Sequence, residues 1–204
     1  MIPTPGYAYF IKDDFFELFG SPQASKLCCN KGTGHMRPYY CCKKERNSDL
    51  FWMIPMTTRY DKYLSRNVDQ KNNYGKCITI ALAKFAGRNA AILIQNAIPV
   101  HPEYITGPFT RNGNPVPLHT TVQRVVFSNL QRSLSIHRRG GCVFFPDIDY
   151  IQDIQITLAE RDFKLPLDMK ISSAKVRVSP APSIGGKGPV LAKALHTGSP
   201  PEED

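Results

Sequence analysis

The feature that most constrains the fold is a pair of aromatic, strand-length segments separated by a short polar stretch. Residues 37–43 are strand-like and rich in aromatic side chains, residues 50–56 are apolar, and residues 45–49 between them are polar. Apolar runs of this length bounded by turn residues are typical of paired strands. The two segments therefore predict a β-hairpin, which follows a polar loop over residues 23–36.

A second pair of segments predicts another hairpin. Residues 77–82 and 90–95 are apolar, and the connecting residues 85–89 contain Gly87 and Asn89, which can supply a turn. Four or five strands of this length predict a small, strongly bent antiparallel sheet or half-barrel.

Helical patterns surround these strands. Residues 7–10 predict a short strand and residues 12–19 a short helix, while residues 118–139 carry apolar side chains at helical spacing and predict the longest helix. A last short helix is predicted with Asp147 or Asp149 as its cap. We therefore expect an α+β fold, in which a twisted antiparallel sheet is wrapped by helices.

Composition divides the chain near residue 160. The last 44 residues contain six prolines and four glycines, and Phe163 is their only aromatic residue. Such a composition is typical of a segment that does not fold into a packed core. We expect a globular domain over residues 1–160 and a flexible, disordered tail over residues 161–204.

The charge balance indicates a polyanionic partner. The chain has 26 lysines and arginines against 17 aspartates and glutamates, a net charge of +9. A surface of this sign attracts nucleic acid or acidic lipid. The six cysteines show no Cys-x-x-Cys spacing, which argues against a zinc site. The sequence predicts no metal and no cofactor.

The start of the sequence and its most apolar stretch bear on where in the cell the protein is located. Residues 1–10 lack a basic segment followed by an apolar run, so we expect no export signal and a cytoplasmic protein with reduced thiols. The most apolar stretch, residues 77–100, is interrupted by Lys84 and Arg88, which excludes a membrane-spanning helix.

The end of the first hairpin carries the residues best suited to chemistry. Thr57, Thr58, Arg59 and Lys62 follow the apolar strand directly, and Arg37 opens the partner strand, so the hairpin would bring these groups together. Cleavage of RNA without a metal requires positioning of the 2′-hydroxyl and neutralisation of the phosphorane oxygens, which hydroxyl and guanidinium groups can provide. An alternative remains open: the threonines begin a loop, and the basic residues form a solvated turn.

A mixture of rings and cations predicts RNA binding, because bases stack on aromatic side chains while basic groups neutralise phosphates. About half of the rings on a strand must face the core, and Trp52 is predicted to be one of them. His119 is predicted to be a cap or surface residue. The candidate RNA-binding residues are Tyr39, Tyr40, Lys43, Lys44, Tyr60 and Tyr63, with Arg124 and Arg132 of the longest predicted helix.

Three segments also carry a family resemblance. Residues 37–40 (Arg-Pro-Tyr-Tyr), 52–63 (Trp-Met-Ile-Pro-Met-Thr-Thr-Arg-Tyr-Asp-Lys-Tyr) and 91–100 (Ala-Ile-Leu-Ile-Gln-Asn-Ala-Ile-Pro-Val) follow one another at characteristic separations. In order and spacing they resemble the ToxN/AbiQ toxins of type III toxin-antitoxin systems, and most of all the CptN-type branch. The similarity spans roughly residues 5–158.

This resemblance implies a fold related to the MazF/Kid-type toxins and an endoribonuclease that leaves a 2′,3′-cyclic phosphate and a 5′-hydroxyl. It further implies a toxin that cuts cellular or phage RNA, acts in phage defence, and is inhibited by a small structured antitoxin RNA within an oligomeric toxin-RNA assembly. By the same resemblance the family's hydroxyl pair falls on Thr57 and Thr58, where Thr replaces the more usual second Ser. The family's basic residue just after this pair falls on Arg59 or Lys62, and the basic residue that opens its first hairpin strand falls on Arg37.

Two other functions fit parts of the sequence. The same basic and aromatic surface would suit an RNA-binding module that does not cut its ligand. The arginines of residues 118–139 would suit a DNA-binding regulator, although they lie on scattered faces of the predicted helix, unlike those of a recognition helix.

Overall fold

A computed structural model of the chain describes residues 1–20, 23–30 and 36–164, except for the side chains of residues 161–164. The strands in this part are β1 (Ala8–Ile11), β2 (Tyr39–Lys44), β3 (Phe51–Thr57), β4 (Ile80–Phe85), β5 (Arg88–Leu93), β6 (Ile98–Val100), β7 (Ile105–Pro108), β8 (Thr110–Arg111) and β9 (Asn114–Pro115). The helices are α1 (Asp13–Glu17), α2 (Gln23–Lys26), α3 (Tyr60–Tyr74), α4 (Thr120–His137) and α5 (Ile148–Lys164).

Strand β3 organises the sheet because it pairs along both edges. One edge pairs with β2, and the other pairs with β6 at Phe51–Met53 and with β5 at Met56–Thr57. A short 3₁₀ turn at Ile94–Asn96 separates β5 from β6. In the described part of the chain, seven strands form one antiparallel sheet in the order β4-β5-β3-β2-β1-β7, with β6 on β3. The small β8–β9 hairpin stands apart from it.

Both faces of the central strands are covered. Tyr40 and Cys42 belong to the apolar cluster that packs against α4, whereas Tyr39 and Cys41 belong to the cluster with α1 and α5. Successive side chains of a strand point to opposite faces, so a strand buried on both sides reads as a continuous apolar run. The apolar pattern of residues 37–43 therefore reflects a central position in the sheet.

The fold class and most elements are as predicted. An α+β fold with an antiparallel sheet is confirmed, as are both hairpins, the first strand and α1. The longest described helix is α4, and His119 caps it by accepting a hydrogen bond from the Thr121 N–H. Asp147 caps α5 through the Tyr150 N–H, at 3.1 Å. Trp52 is buried in the core, as expected.

Other details of the prediction were wrong. The sheet has seven strands where four or five were expected, and α2 lies within the predicted polar loop. Helix α3 was not predicted at all, because its sequence has no continuous apolar face: its buried residue is Asn67, whose side-chain amide donates to the Ile80 carbonyl at 3.0 Å. The helix ends at Tyr74 and is capped by Gly75, which has φ +70°.

The last described helix ends at Lys164, four residues beyond the expected domain boundary, and residues 1–164 form one compact unit. Residues 165–204, on which most of the predicted tail falls, lie outside the described residues. Within the described ranges, no helix is long and apolar enough to cross a membrane.

Candidate functional site

The β2–β3 register brings the two ends of the first hairpin together. Tyr39 pairs with Pro55, and continuing this antiparallel register by two residues sets Arg37 opposite Thr57. The Met56 N–H donates to the Pro38 carbonyl at 3.0 Å, which extends the ladder to this point. The structure therefore places Arg37 beside the threonine pair, as the hairpin predicts.

Arg37 is held by its backbone and by its guanidinium. Its N–H donates to the Asn30 side-chain carbonyl at 2.9 Å, and Asn30 in turn donates to the Ile11 carbonyl at 2.9 Å. Its Nη1 donates to the Met56 carbonyl at 3.2 Å. Its Nε is buried and finds no acceptor among the described residues. A buried donor without an acceptor is costly, and because Nε is shielded from solvent, a ligand oxygen reaches it only if the side chain shifts.

The turn after β3 is held by local hydrogen bonds. The Arg59 N–H donates to the Thr57 hydroxyl at 3.3 Å, and the Tyr60 N–H donates to the Thr58 carbonyl at 2.8 Å. These are the local bonds expected if the threonines simply begin a loop. Helix α3 starts at Tyr60 without a side-chain cap, so the positive end of its dipole lies beside the same turn.

The opposite wall comes from two other turns. Arg88 begins β5 and Arg111 ends β8, and Arg111 Nη1 donates to the Ala86 carbonyl at 3.0 Å. Gly87 has φ +82°, and a Cβ at that position would lie 2.9 Å from Arg111 Nη1. The absence of a side chain at Gly87 thus lets the arginine approach the β4–β5 turn.

Together these turns enclose an open cleft of about 560 Å³, within the range of small-ligand sites. Arginine is the only charged residue type among its described lining residues. Four arginines lining one cleft make it attractive to an anion, and guanidinium groups suit the bidentate binding of phosphate. The lining residues are Arg37, Pro38, Met56, Thr57, Thr58, Arg59, Phe85, Ala86, Arg88, Ala90, Phe109, Thr110 and Arg111.

The groups behind Arg37 are held neutral. Burial raises the pKa of Tyr39 well above its ordinary value of 10.0, and its hydroxyl donates to the Cys28 carbonyl at 2.7 Å. Burial also raises the pKa of the Cys28 and Cys29 thiols, although the positive charge of Arg37 lowers both in part. Arg37 is therefore backed by neutral groups, and its charge is available to a ligand.

The structure separates the other predicted residues from this cleft. Lys62 is exposed on the first turn of α3 and does not line it. Tyr39 and Tyr40 are 0% and 2% exposed, so neither ring offers a face to a base, contrary to expectation. Tyr63 packs against the apolar cluster of Ile80, Ala91 and Leu93. The Arg66 guanidinium lies 5.7 Å from the centre of its ring. Tyr60 is half-buried at the start of α3.

The remaining predicted cations lie elsewhere. Lys43 and Lys44 end β2, about 20 Å along the strand from Arg37 at some 3.3 Å per residue. Lys43 forms an ion pair with Glu45 at 3.6 Å, and Lys44 forms one with Asp49 at 2.7 Å. Arg124 and Arg132 are exposed on α4 and do not line the cleft.

Two cleft residues, Arg88 and Arg111, were missed at the sequence level. Asn112 and Gly113 have φ of +52° and +80° and form the tip of the β8–β9 hairpin. Asn-Gly is a strong signal for a two-residue hairpin turn, so the sequence contained a sign of this element. No local sequence pattern shows that Arg111, at the end of β8, would contact the β4–β5 turn.

Among residues 1–20, 23–30 and 36–164, no three His, Cys, Asp or Glu side chains are grouped so as to hold a metal ion.

The chain matches no protein-family model and no curated protein sequence. Sixteen chains of solved structures match it. One is AbiQ, described as a lactococcal anti-phage endoribonuclease belonging to the type III toxin-antitoxin system. The two sequences are 12% identical, the match covers 80% of this chain and 84% of that chain, and the TM-score is 0.35.

Proposed function

We propose that the chain is an endoribonuclease that cuts RNA in the arginine-lined cleft, through attack of a 2′-hydroxyl on the adjoining phosphate and without a metal ion. The observation that carries this proposal is the cleft that Arg37, Arg59 and Thr57 line together. A phosphate bound there would accept from the guanidiniums, and the threonine hydroxyl would bond the same group.

In the proposed reaction the 2′-oxygen forms a bond to phosphorus and the bond from phosphorus to the 5′-oxygen breaks. The 2′-hydroxyl loses its proton to solvent, and the departing 5′-oxygen takes one from solvent. Arg37 and Arg59 stabilise the added charge on the phosphorane oxygens, while Thr57 and Thr58 orient the phosphate. The products are a 2′,3′-cyclic phosphate and a 5′-hydroxyl.

Incubation of the pure protein with end-labelled RNA in the presence of a chelator tests the reaction. We expect fragments with cyclic phosphate ends from the wild type, and a rate at least about 100-fold lower for Arg37→Gln and for Thr57→Val. Arg139→Gln is the matched control, because Arg139 is exposed just beyond α4 and does not line the cleft. Thermal unfolding of each variant checks that the fold is retained.

Two outcomes would contradict the proposal. RNA that is bound but remains intact would identify a non-catalytic RNA-binding module. Full activity in the double variant Arg37→Gln/Thr57→Val would place the reaction elsewhere in the molecule.

The motif resemblance extends the proposal to the partner. We propose that the enzyme is a toxin acting on cellular or phage RNA, and that a small structured RNA inhibits it in an oligomeric assembly. Short tandem repeats in the DNA directly upstream, with relief of growth inhibition when that DNA is co-transcribed, are the expected findings. If toxicity persists when the upstream DNA is co-transcribed, the RNA made from it is not an inhibitor of the enzyme.

A further inference from the structure

The cleft contains an aromatic ring that the proposed phosphate chemistry does not use. Phe109 is half-buried and lines the cleft beside the arginines. Its ring lies 5.1 Å from the ring centre of Phe85 and 6.1 Å from that of Phe10. Phe109 thus belongs to an aromatic cluster that reaches the cleft, which Phe85 also lines.

The ring is fixed in place before any ligand binds. The Phe109 N–H donates to the Ala8 carbonyl at 2.7 Å, and the Phe109 carbonyl accepts from the Val116 N–H at 3.1 Å. Its backbone is therefore held on both sides, and its packing against two other rings limits rotation of the side chain. A rigid aromatic surface loses little entropy when a planar group packs on it.

The ring is flanked by cationic groups with free donors. Arg111 uses Nη1 on the Ala86 carbonyl, which leaves its other N–H groups for a ligand. The Arg88 guanidinium has no hydrogen bond or ion pair with another described side chain, and it lines the same cleft. A simple anion would use only the guanidiniums, whereas a nucleotide offers a flat base for the ring and a phosphate for the arginines.

We infer that Phe109 is a base-stacking residue and that the cleft takes an unpaired nucleotide of single-stranded RNA. The base packs on Phe109, and its phosphate lies near Arg88 and Arg111. This inference rests on the proposed function and names the substrate class of the same site. A base in a duplex has both faces covered by its neighbours, so only an unpaired base can pack on the ring.

Binding to an uncleavable 2′-O-methyl RNA oligomer, followed by fluorescence anisotropy, tests the inference apart from cleavage. Phe109→Leu keeps most of the apolar volume but removes the ring, and we expect it to weaken single-strand binding roughly 5- to 100-fold. Phe109→Trp should bind nearly as well as the wild type. Phe127→Leu is the matched control, because Phe127 is 46% exposed on α4 and does not line the cleft.

An oligomer of abasic ribose phosphates supplies the second arm. The wild type should bind it as weakly as Phe109→Leu binds the intact oligomer, and Phe109→Leu should not distinguish the two oligomers. A Phe109→Leu variant that binds like the wild type overturns the inference, as does a duplex that is bound as tightly as a single strand. If binding depends on Phe109 but the wild type cuts no RNA, the proposed function is refuted and the stacking role stands.

Discussion

Arg37 combines two roles in one side chain. One of its donors supports the end of β3 through the Met56 carbonyl, while its buried Nε is left without an acceptor among the described residues. The first bond fixes where the guanidinium lies, and we propose that its remaining donors bind phosphate. Since the planar guanidinium has five donors in a fixed arrangement, lysine cannot replace it in both roles.

Glu45 is predicted to stabilise the fold in a pH-dependent way. Burial would raise its pKa, but hydrogen bonds from the Trp52 indole and the Arg46 N–H, with the charge of Lys43, outweigh this and lower the pKa below its ordinary value of 4.5. The stabilisation is therefore complete above pH 4.5 and is lost as the pH falls through the lowered value. We expect Glu45→Gln to cost about 1 kcal/mol at neutral pH, and much less in acid.

Urea unfolding at neutral pH and below pH 4 measures the free energy difference between wild type and Glu45→Gln. Glu17→Gln is the control, since Glu17 is exposed on α1 and has no hydrogen bond or ion pair with another described residue. An equal cost at both pH values would show that the carboxylate charge plays no part.

The thiols are predicted to differ widely in reactivity. Cys142 is exposed, whereas Cys41 and Cys42 are buried, and burial raises the pKa of both to about 12. The thiolate is the reactive form. Iodoacetamide at pH 8 should therefore label Cys142 first and spare Cys41 and Cys42 until the protein unfolds. Peptide mapping by mass spectrometry identifies the labelled thiols, and early labelling of Cys41 or Cys42 would contradict the buried placement of β2.

At the scale of elements, the site depends on contact between two hairpin turns. The β4–β5 turn has positive φ at Ala86 and Gly87, and the β8–β9 turn has positive φ at Asn112 and Gly113. Arg111 joins the two turns by its bond to the Ala86 carbonyl. The second wall of the cleft is therefore built by two short turns that are distant in sequence.

Substitution of the two turn glycines separates backbone strain from the site. Gly87→Ala and Gly113→Ala should each cost roughly 1–2 kcal/mol, because both positions have left-handed backbone conformations. Only at Gly87 would the new methyl group meet Arg111, since nothing lies within 4 Å of a Cβ at Gly113. We expect both variants to lower the melting temperature and only Gly87→Ala to weaken RNA binding. Equal losses of binding would mean that Arg111 is not positioned by this turn.

At the scale of the whole molecule, the chain has a net charge of +9, and part of its positive charge lies in the cleft. The cleft gathers four arginines from β2, β3, β5 and β8 or the residues beside them. Charge elsewhere, as on α4, raises the general attraction to polyanions. If the cleft contacts a bound strand directly, as we propose, the two contributions differ in their dependence on salt.

Salt titration of single-strand binding should distinguish them. Each phosphate contact contributes a slope of roughly −0.7 to the plot of log K against log salt for single strands. We expect Arg88→Gln to reduce the slope by about that amount, and Arg139→Gln to leave it nearly unchanged. Anisotropy with the 2′-O-methyl oligomer gives both slopes. A larger change for Arg139→Gln would move the binding surface towards the end of α4.

The sequence by itself determined both hairpins, helices α1, α4 and α5, and two of the four arginines that line the cleft. Residues 37–43 and 50–56 have the apolar pattern of paired strands, and this pairing is enough to bring Arg37 to Thr57. The antiparallel α+β fold follows from the same patterns. These features depend on side-chain periodicity and on a single turn, which are local properties of the chain.

Only the tertiary structure decided the rest. Helix α3 has no apolar face to reveal it and is anchored by Asn67 to the Ile80 carbonyl. Tyr39 and Tyr40, next to Arg37 in sequence, are buried because β2 is covered on both faces. Arg88 and Arg111 reach the cleft because the β4–β5 and β8–β9 turns, which are distant in sequence, lie together in the fold. Such meetings depend on long-range packing, which no local pattern of residues encodes.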